Sequence, residues 1–251
     1  MDRSIYIAMT GAKNNMMSQT AHSNNLANAN TTAFKADWAQ ARSMPVFGEH
    51  YPTRAYALTE RPATDFNDGS LISTGNDLDV AIGGDGFFSV QTPEGEEVLT
   101  RRGDFRVDVT GALINGEGLP VFGEGGPIVL PPYVKVEIAN DGSISIRPPG
   151  GGPNELVVVD QLKLSNPDYR DLAKGTDGLF RFRDGSPSEG LPFEADATLQ
   201  VRSGFIEGSN VNAVKELTEI LSLSRQYEIQ VKLMKAAEEV SQTSEQILQL
   251  Q

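Results

Sequence analysis

The final stretch of the chain, from Ser209 to Gln251, contains neither glycine nor proline and is rich in helix-favouring side chains, so it predicts one long helix. Leu217, Ile220, Tyr227, Val231 and Met234 follow a three-then-four spacing that places them on a single stripe. Ser224 breaks that stripe, Glu238 and Ser241 end it, and Leu233, Ala237, Val240 and Ile247 continue on a shifted face. Asn212 suits the N-cap, where its side-chain oxygen accepts from free backbone N–H groups, and Glu216 and Glu219 suit the positive end of the helix dipole. At 1.5 Å per residue such a helix is roughly 58 Å long, more than a compact domain of this size covers. The stripe therefore calls for a partner outside the globular body.

A second breaker-poor segment opens the chain. Over residues 4–28, Ile5, Met9, Ala12, Met16 and Leu26 stand at heptad spacing, with Gln19 and Ser23 at the polar steps, while Gly11 costs the helix about 1 kcal/mol relative to alanine. Both stripes are thin. The expectation is that the two ends pair with each other as a coiled coil, or pack against other copies. Asn25, Asn28, Asn210 and Asn212 stand where these helices end.

Between the helices the signals are those of strands. Residues 37–64 hold Trp38, Phe47, Tyr51 and Tyr56 among Pro45, Pro52 and Pro62 with little periodicity, which predicts an extended connector with aromatic anchors. Residues 65–209 alternate short apolar runs with turn glycines, as in Leu78-Asp-Val-Ala-Ile, Gly86-Phe-Phe-Ser-Val-Gln and Phe105-Arg-Val-Asp-Val, and Asn140-Asp-Gly-Ser predicts a hairpin turn before Ile144. Pro148-Pro-Gly-Gly-Gly-Pro153 breaks the chain hard. The fold class is α+β, mainly β: a central all-β body (65–209), the connector (37–64), and terminal helices (1–36 with 210–251) whose pairing requires the body's ends to lie close together.

Charge and composition exclude several functions. Twenty-one Lys and Arg against 34 Asp and Glu leave a net charge of −13, and no basic cluster exceeds Arg101-Arg102, so nucleic acid is not an expected partner. The absence of cysteine rules out thiol catalysis and disulfides. The opening Met1-Asp-Arg-Ser-Ile-Tyr is unlike a secretory signal, and no run of about 18 apolar residues predicts insertion in a membrane. Export, if it occurs, would not use a cleaved signal.

Chemistry has little to stand on. His22 and His50 have no metal-pair spacing and no evident carboxylate orienter. Gly83-Gly-Asp-Gly-Phe-Phe lacks a lysine and leads into a strand, so its glycines read as turn residues rather than a phosphate cradle. Asp77, Asp79 and Asp85 raise a calcium-dependent adhesion module, but the twelve-residue loop is absent. An acidic glycan hydrolase would need a carboxylate pair that no motif singles out. No catalytic, metal or cofactor residue is therefore expected.

Four stretches, in order, resemble the flagellar rod and hook axial protein family: Met1-Asp-Arg-Ser-Ile-Tyr-Ile-Ala-Met-Thr-Gly-Ala; Asn24-Asn-Leu-Ala-Asn-Ala-Asn-Thr-Thr-Ala-Phe-Lys35; Thr74-Gly-Asn-Asp-Leu-Asp-Val-Ala-Ile-Gly-Gly-Asp-Gly-Phe-Phe88 with Leu99-Thr-Arg-Arg-Gly-Asp-Phe105; and Glu207-Gly-Ser-Asn-Val-Asn-Ala-Val-Lys-Glu-Leu217 with Arg225-Gln-Tyr-Glu228. At Ala33 the family often has glycine. Asp2, Ala213, Met44-Pro-Val and Leu119-Pro-Val-Phe-Gly-Glu-Gly-Gly-Pro look like its proximal-rod members; the alternative is a distal-rod or hook sibling.

The resemblance implies a non-enzymatic axial component of the bacterial flagellar basal body. It implies export by the type III apparatus without a cleaved signal, a place in the rod within the periplasm, and torque transmission from motor to hook. Implied neighbours are the proximal-rod proteins FlgB and FlgC, the distal-rod protein FlgG, and further copies. Helix contacts would fall to Ile5, Met9, Met16, Leu26, Leu217, Ile220, Tyr227, Val231 and Met234. Asn25, Asn28, Asn210 and Asn212 would close helix ends and touch neighbouring subunits.

Overall fold

The computed structural model describes residues 2–38, 41–45, 55–59, 63–150, 152 and 155–249. The chain divides into two compact units: Met1–Ala29, Ala36–Asp65 and Val211–Gln251 form the first, and Asn30–Lys35 with Phe66–Asn210 form the second.

The first unit is built on α1 (Asp2–Ala27) and α2 (Ala213–Gln249). The N-cap of α2 is Asn212, whose Oδ1 accepts from the amides of Val214 and Lys215, each at 3.1 Å. At the C-terminal end of α1, the Asn24 carbonyl accepts both from the Asn28 amide at 3.1 Å and from Asn28 Nδ2 at 3.0 Å, so Asn28 fastens the last turn. Residues 37–64 were expected as an extended connector, and the described part of that segment is paired with itself. Ala41–Pro45 pairs antiparallel with Ala55–Thr59, and Asp37–Trp38 with Ala63–Thr64, so the described strands form an antiparallel ribbon. Backbone pairing, rather than an alternating face, makes this ribbon, which is why the pattern of side chains concealed it. Trp38, expected as an anchor, is exposed, and Phe47, Tyr51 and His50 lie outside the described residues.

The second unit is antiparallel throughout its described pairings. A five-stranded sheet runs in the order Leu164–Ser165, Phe87–Gln91, Glu97–Thr100, Phe180–Phe182 and Leu172–Lys174. A three-stranded sheet runs Lys135–Ile138, Ser143–Arg147 and Val157–Gln161. Its hairpin turns at Asn140-Asp-Gly, where Gly142 takes a positive φ of 83° and Asp141 Oδ1 accepts from the Ser143 amide. Four two-stranded ribbons accompany these sheets: Val80–Gly83 with Gln200–Ser203, Leu71–Ser73 with Phe205–Glu207, Arg106–Val107 with Leu113–Ile114, and Phe122–Gly123 with Gly126–Pro127.

The core follows from the alternation. Val136, Ile138, Ile144 and Ile146 turn inward to join Val80, Phe88, Val90, Val98, Leu113, Val121 and Ile128. Burial of each such side chain contributes about 1.5–3 kcal/mol. A satellite cluster of Phe87, Leu99, Leu172, Phe180 and Phe193 takes in Phe66 and Tyr169, whose rings stack at 4.6 Å. The Tyr169 hydroxyl donates to Asp85, and burial first, then that carboxylate, pushes its ionisation upward. One close approach needs glycine: a Cβ at Gly103 would sit 1.7 Å from the Val80 carbonyl oxygen.

Candidate assembly site

In the first unit α1 and α2 lie side by side and antiparallel, since His22 meets Glu216 while Gly11 meets Gln230. Small residues set the spacing. A Cβ at Gly11 would stand 2.7 Å from Gln230 Nε2, and Ala12 beside it is buried. The seam is partly polar, with Asn14, Asn25 and Glu216 buried in it. The Asn15 Nδ2 and Gln230 Oε1 atoms are buried there without a hydrogen-bond partner among the described residues. His22 Nδ1 lies 2.5 Å from Glu216 Oε2, so the histidine does have a carboxylate partner; 194 positions of sequence concealed it. Asn25 grips the backbone of Asp37 from both sides, donating to its carbonyl and accepting from its amide at 2.9 Å each.

The named contact residues divide between two faces. Ile220, Tyr227, Val231 and Met234 are half-buried on α2, as are Ile5 and Leu26 on α1. Met9, Met16 and Leu217 are about half exposed, at 51 %, 55 % and 50 %. They are joined in the open by Tyr6 on α1 and by Val214, Leu221, Ile229 and Leu233 on α2. Each helix thus buries apolar side chains within the pair and leaves other large apolar side chains in water, an arrangement suited to contact with further helices.

Four residues that motif reading left without a role converge inside the second unit. Lys35 and Glu207 pair at 2.7 Å with side chains 2 % exposed each, and Lys35 Nζ also donates to the carbonyls of Asn67 at 2.9 Å and Phe66 at 3.4 Å. All three ammonium protons have acceptors. Glu207 Oε1 also accepts from the Gly69 amide at 2.9 Å. Its Oε2 lies 2.9 Å from Arg101 Nε, an ion-pair contact off the N–H direction rather than an aligned hydrogen bond. The Arg101 guanidinium donates to the carbonyls of Gly84 and Gly86 at 2.7 and 2.8 Å and pairs with Asp68. The glycine loop of residues 83–86 therefore wraps a cation with its carbonyls. Lys35, Arg101 and Glu207 are buried, and Asp68, half exposed at the edge, supplies the second negative charge that balances the two cations. Asn210 closes the same region, its amide donating to the Phe34 carbonyl and its Nδ2 to Asn67 O.

Ala33 is the one described non-glycine residue with positive φ, at 57°. Its amide donates to the Glu207 carbonyl at 2.8 Å, so the left-handed turn aims residues 33–35 at the ionic cluster.

Among the described residues no group of three or more His, Asp or Glu side chains could hold a metal ion, and no helix is long and apolar enough to cross a membrane. The family model "Flagellar hook protein FlgE/F/G D1 domain" matches residues 81–146, and "Flagellar basal body rod FlgEFG protein C-terminal" matches residues 202–247. The first includes the glycine loop of residues 83–86 and Arg101, and the second carries Glu207 and most of α2. The chain is 38% identical over its whole length to the whole of the flagellar basal-body rod protein FlgF of Escherichia coli (strain K12), and 37% identical, again end to end, to that of Salmonella typhimurium. It is 30% identical to the rod protein FlgG of Buchnera aphidicola subsp. Schizaphis graminum, over 97% of this chain and 99% of that one.

This chain belongs to the flagellar basal-body rod protein family. It is a structural component of the flagellar basal-body rod, and neither matching family describes an enzyme. Flagellar motility is therefore the process this component serves.

Proposed function

We propose that the chain is a proximal-rod subunit of the FlgF kind, which polymerises by packing the exposed apolar side chains of its terminal helices against neighbouring subunits in a coiled-coil wall. The observation that carries this reading is the exposed apolar set: Met9, Met16, Leu217, Leu221, Ile229 and Leu233 stay exposed although α1 and α2 already pack on each other. A helix pair that ended its work within one chain would have no use for them. End-to-end identity to the FlgF proteins of Escherichia coli and Salmonella typhimurium, at 38% and 37%, exceeds that to the two Buchnera FlgG proteins, at 30% and 32%, which favours the proximal position. The FlgB, FlgC and FlgG type of rod protein, and other copies of this chain, are the proposed neighbours. The type III export apparatus is the proposed carrier to the periplasmic rod, with no membrane insertion and no nucleic acid involved. Torque passes through a subunit held in this way because its contacts are continuous along the axis.

The test is complementation. In a strain lacking its own FlgF, this chain is expected to restore swimming and to appear in purified hook–basal bodies. Its absence from rods of swimming, complemented cells would overturn the reading.

A further inference from the structure

The chain passes between its two units at four places, next to residues 29, 35, 65 and 210. Within the second unit the three segments that lead to those places are woven together. The Ala33 amide donates to the Glu207 carbonyl at 2.8 Å, the Gly208 amide to Ser70 O at 2.8 Å, and the Asn210 amide to Phe34 O at 3.2 Å. Gly69 and Gly208 approach so closely that a Cβ at Gly69 would lie 2.0 Å from the Gly208 carbonyl oxygen. One side chain reaches all three segments. Glu207 belongs to the third, binds Lys35 of the first, and accepts from the Gly69 amide of the second.

We propose that Glu207 is a positioning residue which locks residues 33–35, 67–70 and 207–210 into a single cooperative tie, so that none of the three linking segments opens without the others. This rests, for its mechanical meaning, on the reading of the chain as a rod subunit. The physical ground is the sharing of one buried carboxylate. Charge-assisted hydrogen bonds are about twice as strong as neutral ones. Lifting away residues 33–35 removes Lys35 and leaves Glu207 under-compensated; lifting away residues 207–210 leaves Lys35 and Arg101 as buried cations facing Asp68 alone. Either partial opening strands a charge, so opening together is favoured. Load arriving along one linking segment is then spread as shear over three, which resists better than peeling one at a time.

Amide hydrogen exchange on the full-length monomer tests the tie without reference to the rod. In the wild-type chain the amides of Ala33, Gly69, Gly208 and Asn210 should exchange through one common opening. In Glu207→Gln all four should accelerate together by about 100-fold while the Phe88 and Leu99 amides keep their protection. Adding Lys35→Met to Glu207→Gln should accelerate them little further, because the tie is already gone. Acceleration of the Gly69 amide alone, or multiplicative effects of the two substitutions, overturns the proposal. If Glu207→Gln does not fold, Glu207→Asp, which keeps the charge on a shorter stem, is read by the same four-amide comparison. In cells, Glu207→Gln rods should form in normal number, yet their motors should stall at lower viscous load. Unchanged load tolerance beside the four-amide shift overturns the mechanical role; failure of the wild-type chain to enter rods overturns the rod reading and leaves the tie to stand on exchange.

Discussion

Lys35 Nζ donates to Glu207 Oε1 at 2.7 Å across 172 positions of sequence, with both side chains almost fully buried. The last residue of the N-terminal motif and the first of the C-terminal motif are thus halves of one contact. Lys35→Met should cost the second unit about 3–5 kcal/mol, because Glu207 loses one of its two buried cations. The double variant Lys35→Met/Glu207→Met should cost less than the sum of the singles, since the Lys35–Glu207 pair is then removed whole and Arg101, which loses Glu207, still keeps Asp68. Urea denaturation of the four proteins measures the coupling, and strict additivity would refute it.

Ala33 sits in the left-handed region that costs an L-residue about 1–2 kcal/mol. Glycine removes that strain but adds about 0.4–1 kcal/mol of unfolded-chain entropy. Ala33→Gly should therefore stabilise by about 0.5–1 kcal/mol, and Ala33→Val should destabilise. Shifts in the denaturation midpoint at constant slope decide the matter.

Gly103 makes the opposite demand, for space rather than for φ. A methyl group 1.7 Å from the Val80 carbonyl oxygen forces the segment around residue 103 away from the Val80–Gly83 strand. Gly103→Ala should cost about 3 kcal/mol or more, whereas Gly84→Ala, with open space around it but a φ of 89°, should cost about 1 kcal/mol. Thermal melts of the two variants should rank them in that order.

The two helix faces should separate in one experiment. Leu217→Asp adds charge to an exposed position and should change monomer stability by no more than about 0.5 kcal/mol while abolishing incorporation into rods. Val231→Asp lies half-buried between the helices and should unfold the helix pair as well, leaving the β unit intact. Circular dichroism of the monomer with swimming assays reads both; free swimming in Leu217→Asp cells would show that the exposed apolar set touches nothing.

Acid should act on the Asp177–Arg181 pair, which meets at 2.8 Å. Burial raises the Asp177 value, but hydrogen bonds from Arg181 and from the Leu179 amide outweigh it and hold the carboxyl below the ordinary aspartate range. The stabilisation is therefore complete above the ordinary value of about 3.9 and is lost as pH falls through the depressed one. Carboxyl titration by NMR should show that low value, and Arg181→Met should raise it.

The sequence by itself determined the order of elements and their type. A C-terminal end free of glycine and proline, and an N-terminal segment interrupted only by Gly11, made α2 and α1 legible, alternation at Lys135–Ile138 and Ser143–Arg147 made the hairpin legible, and Asn212 announced the start of α2, because all of these depend on neighbours a few residues apart. Four motifs in order carried the family. Tertiary structure alone decided which apolar residues face inward: Val231 does and Leu217 does not, since that depends on how far Gly11 and Ala12 let the helices approach. It also paired Ala41–Pro45 with Ala55–Thr59 and Asp37–Trp38 with Ala63–Thr64, in ladders whose backbone chemistry is common to all side chains. Above all it brought Lys35, Asp68, Arg101 and Glu207 together. Charged residues are ordinary surface residues in any linear reading, and only a fold that excludes water around them makes each depend on the others.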